Sequence, residues 1–300
     1  MEKSSYKVDL GSTEEILIFA KKSLSNLKLS ETENYESLYR QLSQQFPGHP
    51  VTSEIKEMFS SFLKLRYGEY LSGGFEHSDQ LNAYVTGWTK KLDITKDIQG
   101  FSEIARSVIA QKRTLLFYDR LYTIFQAMMN TRKIGGDIVE LGVYCGGSLR
   151  FIYDVARYLK TAPCIYGLDT FSGHAGVSAE DISQADGQFS KNSLEQVAAY
   201  LADCDSVRLV PGDVRETLES LLGKIECLVF AHLDLDLHDP TASALRLIEP
   251  KLAVGGAIVV DDYGVLSCKG VRKATDEFVA QSALKQFHLM TGQCLLLKVA

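Results

Sequence analysis

The sequence predicts an α/β protein built on a doubly wound sheet of seven strands, preceded by a helical region. Three observations carry this. From residue 137 onward, short apolar runs rich in β-branched residues alternate with amphipathic stretches of helical period, as strands of a parallel sheet covered by helices must. The last two runs, residues 287–290 and 294–299, are joined only by Thr291-Gly292-Gln293, too short for a crossover helix, so they must pair antiparallel as a hairpin. All six cysteines follow residue 144, and the patterning changes between residues 113 and 137, which divides the chain into a helical N-terminal accessory region, 1–112, and a sheet domain, 113–300.

Taken in order, the N-terminal region shows helical spacing in Ile16, Leu17, Ile18, Phe19, Leu24 and Leu27, and again in Ile55, Met58, Phe59, Phe62 and Leu63. Pro47-Gly48-His49-Pro50 separates these stretches and Gly73-Gly74 closes the second. The expected strands are 138–141, 164–168, 207–210, 227–233, 257–260, 287–290 and 294–299, with a helix over 149–159 after the first. In such a sheet ligands sit beyond the carboxyl ends of the strands, so chemistry is sought there.

Composition narrows the function. With 45% hydrophobic and 23% charged residues, 300 residues are enough to bury about three quarters of the unfolded surface, which excludes disordered and fibrous classes. A formal charge of -6 is of the wrong sign for a general nucleic-acid or membrane-surface binder. The polar start and the absence of any apolar run near the ~18 residues of a membrane span give an expectation of a cytoplasmic protein with no membrane or nucleic-acid partner. No C-x-x-C occurs, so zinc knuckles and redox pairs are not signalled, and the thiols, Cys145 and Cys268 included, read as reduced packing residues.

The first strand ends in Glu140-Leu141-Gly142-Val143-Tyr144-Cys145-Gly146-Gly147-Ser148 and enters a helix whose N-terminus offers N–H groups to an anion. The glycine spacing is not G-x-G-x-x-G, which disfavours a nicotinamide-dependent oxidoreductase and favours another nucleoside ligand. Asp169 ends the second strand, where an acid accepts from both ribose hydroxyls. Asp213, after the third, either caps the next helix or faces an adenine edge. Asp234 and Asp261-Asp262 end the fourth and fifth strands at one edge of the sheet, and converging carboxylates repel unless protonated or bridged by a cation, for which an all-oxygen set suits Mg²⁺. Asp236, on the same strand face as Asp234, is the alternative ligand. His232, within a strand, reads as structural.

Together these motifs resemble the class I S-adenosylmethionine-dependent O-methyltransferases, with their Rossmann-like fold, and within them the macrocin O-methyltransferase group of natural-product tailoring enzymes. The match rests on residues 139–148, Gly167-Leu168-Asp169-Thr170-Phe171, Leu233-Asp234-Leu235-Asp236-Leu237 with Pro240-Thr241, and Pro250-Lys251-Leu252 leading to Gly255-Gly256 and Asp261-Asp262-Tyr263; the loop after the first strand also resembles that of catechol O-methyltransferase. The resemblance implies that Glu140, Gly142, Tyr144, Gly147 and Ser148 hold the methionine part of S-adenosylmethionine, Asp169 its ribose and Asp213 its adenine, and that Asp234, Asp261 and Asp262 bind Mg²⁺. It further implies methylation of a hydroxyl on a small molecule, a natural product or its sugar, and a homo-oligomer. The catechol enzyme's lysine has Leu237 in its place, so the base candidates are His174, in the loop after the second strand, and His238. The alternative function, a non-catalytic S-adenosylmethionine-binding scaffold acting through the N-terminal region, leaves the aspartates without a purpose.

Overall fold

The structure, a computed structural model, is described for residues 100–299; the helices expected around residues 16–27 and 55–63 lie outside them. The element order is α1 (Phe101–Ala110), α2 (Tyr118–Thr131), β1 (Asp137–Leu141), α3 (Gly147–Tyr158), β2 (Ile165–Asp169), α4 (Leu194–Tyr200), β3 (Val207–Pro211), α5 (Val214–Leu222), β4 (Leu228–Leu233), α6 (His238–Ile248), β5 (Leu252–Val260), α7 (Lys269–Val279), β6 (Lys285–His288) and β7 (Cys294–Leu297). They form one seven-stranded sheet in the order β3-β2-β1-β4-β5-β7-β6. The first five strands run parallel, and β7 pairs antiparallel with both β5 and β6. The expected doubly wound sheet with its terminal hairpin is therefore what the chain adopts.

Strands β1, β4 and β5 occupy the middle because both of their faces are apolar, as helices on both sides of a parallel sheet demand. One face, with Ile138, Ile165, Phe230, Ala257 and Val259, packs beneath α1, α2 and α3. Its centre is aromatic: the Phe101 ring lies 4.7 Å from Tyr118, 5.3 Å from Phe125 and 6.3 Å from Phe151. The opposite face, with Val139, Leu141, Leu168, Ala231, Leu233, Ile258 and Val260, packs against Leu218, Leu222, Ala244, Leu245, Ile248 and Val271 of α5, α6 and α7. The edge strands are exposed and carry Arg208 on β3 and Lys285 on β6, charges that discourage further strand pairing.

Helix α1 precedes the boundary expected at residue 112, yet Phe101, Ala105 and Val108 are embedded in the core of the sheet domain. Every strand differs from expectation at one or both ends, and two of these differences have clear local reasons. Strand β5 begins at Leu252, before Gly255-Gly256, because the chain passes these glycines without turning away: Gly255 takes φ 83° and its N–H donates to Lys298 O at 2.6 Å. Strand β6 ends at His288 rather than reaching Met290, because Leu289 to Gly292 close the hairpin turn through Gly292 N–H to Leu289 O at 3.1 Å. Met290, apolar but 65% exposed, gave the strand signal there. Among the described residues, no helix is long and apolar enough to cross a membrane.

Candidate active site

Parallel pairing places the carboxyl ends of β1, β2, β4 and β5 along one rim of the sheet, and the acids found in the sequence gather on it. Gly142 makes the closest approach possible. It follows β1 with φ 88°, and a Cβ there would overlap the carbonyl oxygen of Asp234, whose own N–H donates to Leu141 O at 2.8 Å. The glycine thus fixes where the β4 end, and with it Asp234, sits relative to β1.

Asp169 organises the loop between β1 and α3. One of its carboxylate oxygens accepts the N–H groups of Val143 and Tyr144, both at 2.8 Å, and the other accepts that of Phe171 at 2.7 Å. Tyr144 and Phe171 take φ values of 50° and 51°, sparsely populated by residues with a Cβ, and these bonds hold them there. Tyr144 O also accepts from Asn192 Nδ2 at 2.5 Å. Gly147, expected beside a ligand, lies against the preceding linker: its N–H donates to Arg113 O at 3.1 Å, and a Cβ there would come within 2.6 Å of Arg113 backbone. Its amide is therefore already used, and the first free N–H groups of α3 start at Ser148. Ser148 is buried beside Glu140. Of the two roles open to Asp213, the structure displays the cap: its carboxylate accepts Arg215 N–H at 2.8 Å and pairs with the Arg215 guanidinium at 2.5 Å.

A buried polar row crosses the rim. Glu140 and His232 are neighbours in the β1–β4 register, and His232 Nδ1 lies 2.9 Å from Glu140 Oε1. His232 Nε2 lies 3.4 Å from Asp261 Oδ1, which also accepts from Gln293 Nε2 at 2.6 Å. The other Asp261 oxygen is paired with the Arg120 guanidinium, whose Nη1 is also 3.7 Å from Asp262. Burial alone would strip the proton from His232, but hydrogen bonds to Asp261 and Glu140 hold its pKa up to about 10. Burial would likewise raise Asp261, but Arg120 and His232 keep it below the usual carboxylate range.

Asp234 and Asp262 are in the opposite position. Burial first, and then Asp261 and Asp262, push Asp234 well above its ordinary value; burial, Asp236 and Asp261 do the same to Asp262. Asp262 Oδ2 is buried with no hydrogen-bond partner. Candidate ligand atoms of His232, Asp234 and Asp261 lie within 4.8 Å of one another, as do those of Asp236, Asp262 and Cys268, so the trio Asp234, Asp261 and Asp262 is distributed over two adjoining groups. Asp234, Asp236, Asp261 and Asp262, with Glu140 beside them, still outnumber the cations Arg120 and His232, and oxygen donors of this kind fit a small divalent cation.

The two histidine candidates part company. His174 Nε2 is 3.1 Å from Asp236 Oδ2, its Nδ1 is buried with no protein partner, and its ring meets Phe189 edge-on at 5.1 Å. Phe189 in turn packs against Tyr144 at 5.8 Å, joining the loop after β1 to the loop after β2. Asp236 itself takes φ 59°, a left-handed conformation that turns its carboxylate toward His174 and the Cys268 thiol. The His238 ring contacts Asp239 at 2.7 Å and faces Glu277 at 3.6 Å, and meets none of the four rim aspartates. Sequence reasoning gave no role to Arg120 or Gln293 and only a structural one to His232; Arg120 and Gln293 reach Asp261 from α2 and from the hairpin turn, and no local spacing marks them.

A protein-family model described as macrocin-O-methyltransferase (TylF) matches residues 85–290. The chain is 33% identical over 150 residues to 8-demethyl-8-(2,3-dimethoxy-alpha-L-rhamnosyl)-tetracenomycin-C 4'-O-methyltransferase of Streptomyces olivaceus, a match that spans 45% of this chain and 56% of that protein. It is 29% identical over 187 residues to demethyldecarbamoylnovobiocin O-methyltransferase of Streptomyces niveus, over 57% of this chain and 70% of that one. Among solved structures, the O-methyltransferase NovP superposes with a TM-score of 0.57 at 26% identity, covering 63% of this chain and 83% of NovP. Sheet order, the loop glycines and aspartates of the rim, and a family match over more than two thirds of the sequence agree: the chain belongs to the macrocin-O-methyltransferase family of S-adenosylmethionine-dependent O-methyltransferases.

Proposed function

We propose that this chain transfers the methyl group of S-adenosylmethionine to a hydroxyl on the sugar of a glycosylated natural product, with the help of Mg²⁺. The observation that carries the reading is the convergence of Asp234, Asp236, Asp261 and Asp262 at the ends of β4 and β5, beside the Glu140 carboxylate of β1. The rhamnosyl group named for the Streptomyces olivaceus relative supports a sugar as the acceptor.

In this reading Glu140 receives the ammonium of the methionine moiety and the 142–148 loop encloses that end of the cofactor. Asp169, which pins the loop by accepting three backbone N–H groups, has about one of its four acceptor sites left for a ribose hydroxyl, on the oxygen that Thr170 Oγ1 approaches at 3.5 Å. The cofactor supplies an electrophilic methyl group. Asp234, Asp261 and Asp262 are the residues that would hold Mg²⁺, with Asp236 adjoining, and a cation bound there supplies Lewis acidity that lowers a hydroxyl's pKa. His174 takes the hydroxyl proton at Nδ1. Asp236 accepts from Nε2–H and so selects the tautomer whose Nδ1 lone pair is free, and that atom has no protein partner. The remaining contribution is alignment of the acceptor oxygen with the methyl carbon.

The test is methyl transfer from labelled S-adenosylmethionine to rhamnosylated polyketides and their aglycones, with Mg²⁺ or with a chelator. Transfer to the glycosylated acceptors, lost on chelation, is expected. Transfer indifferent to chelation removes the metal, and transfer confined to aglycones removes the sugar.

A further inference from the structure

His232 occupies a position where an apolar residue would serve the fold better. It is the penultimate residue of β4 and has no solvent exposure, and its neighbours on that face, Phe230, Val259 and Ala257, are apolar. Burying an imidazole there desolvates the ring and the two carboxylates it touches, and such polar rows add little net stability compared with hydrophobic packing of the same volume. What the ring does accomplish is geometric. Nδ1 meets Glu140 at 2.9 Å and Nε2 meets Asp261 at 3.4 Å, so one rigid ring contacts a carboxylate of each half of the site.

We propose that His232 is a positioning residue whose two ring nitrogens orient separate partners, Nδ1 aiming Glu140 at the cofactor and Nε2 aiming Asp261 at the divalent cation. This rests on the function proposed above, which assigns those two ligands to those two carboxylates. The support differs on the two sides. Asp261 is also held by Gln293 and Arg120, whereas Glu140 has His232 as the side chain that meets Oε1. Loss of either link therefore acts on one ligand, and hydrogen-bond partners standing behind a metal ligand are typically worth about tenfold to a hundredfold in metal affinity.

The experiment uses the full-length, metal-stripped chain and titrates S-adenosylhomocysteine and Mg²⁺ separately by calorimetry. His232→Asn places its amide N–H where Nδ1 stood and reaches Glu140 but not Asp261. His232→Gln extends to the Nε2 position and reaches Asp261. The expected pattern is crossed: His232→Asn keeps cofactor affinity and weakens Mg²⁺ by about three- to tenfold, the smaller loss because Gln293 and Arg120 still hold Asp261, and His232→Gln keeps Mg²⁺ and weakens the cofactor by about tenfold or more. A residue that merely filled space would move both affinities together in both variants, or neither, and either result overturns the proposal. Should the variants fail to fold, the wild type with ¹⁵N-labelled histidine decides: the Nδ1 resonance of His232 is expected to move mainly on cofactor addition and the Nε2 resonance mainly on Mg²⁺ addition, and equal movement of both with each ligand overturns it. A wild type that binds neither ligand overturns the function reading itself, and a wild type that binds both without the crossed pattern overturns only the role of His232.

Discussion

Gly142→Ala is the substitution whose consequence the geometry defines most sharply. At φ 88° an alanine is forced into a left-handed backbone, which costs roughly 1–2 kcal/mol. Its methyl group would also overlap the Asp234 carbonyl, so the β4 end must retreat and the Asp234 N–H to Leu141 O bond must stretch or break, adding about 1 kcal/mol. The sum is about 2–3 kcal/mol of lost stability, read as a lower denaturant midpoint at unchanged slope in an equilibrium unfolding titration. Because the part that moves carries Asp234, Mg²⁺ affinity should fall beyond what instability explains. Gly223→Ala is the control: Gly223 ends α5 at φ -61°, and a Cβ there meets nothing closer than 3.5 Å, so a gain of about 0.4–1 kcal/mol is expected. An unchanged midpoint in Gly142→Ala would refute the claim that the glycine is required by the close approach of β4.

The pH dependence of the metal-free chain has a defined sign. Asp234 and Asp262, raised in the fold by burial and by neighbouring carboxylates, contribute stability that is present below their ordinary pKa of 3.8 and is lost as pH rises toward their raised values. His232, held up to about 10, contributes stability present below 6.5 and lost as pH rises through about 10; Asp261, lowered, acts in the reverse sense at acid pH. Thermal midpoints without metal should therefore fall between mildly acid and alkaline pH, and saturating Mg²⁺ should restore the neutral-pH value by about 2.7 kcal/mol at a hundred times its Kd; identical profiles with and without Mg²⁺ would count against the cation. His174→Ala should lower kcat by about 10²–10⁴-fold with little change in cofactor affinity, while His238→Ala should stay within a few fold of wild type, and equal losses in the two would remove the distinction drawn from Asp236. Phe101→Ala should destabilise the sheet domain by about 3–5 kcal/mol in a urea titration, and a negligible effect would mean that α1 is not part of its core.

The sheet was legible because its signal is local: β-branched runs, helical periods and a three-residue connection that only a hairpin can use. The two ends misread for clear local reasons are those where local chemistry is ambiguous. Gly255-Gly256 looks like a turn yet continues β5 beside Lys298, and Leu289-Met290 looks like a strand yet turns. The rim acids were legible for the same reason, since each directly follows an apolar run. Their partners were not: Arg120 meets Asp261 across 141 positions and Gln293 meets it across 32, separations at which one sequence carries no pairing signal. His232 was visible, but its meaning depends on the β1–β4 and β4–β5 registers that put Glu140 on one side of it and Asp261 on the other. Asp236 was weighed as a ligand from strand alternation; its left-handed backbone sets its carboxylate beside His174 while its oxygens stay within reach of Asp262 and Cys268, a neighbourhood that strand alternation alone does not give.

The measurement that bears most directly on the whole account is a calorimetric titration of Mg²⁺ into the metal-stripped full-length chain saturated with S-adenosylhomocysteine, repeated on Asp234→Asn. The account predicts saturable binding of one Mg²⁺ per chain in the wild type and its loss in the variant. An absence of Mg²⁺ binding to the wild type, or undiminished binding to Asp234→Asn, would contradict it.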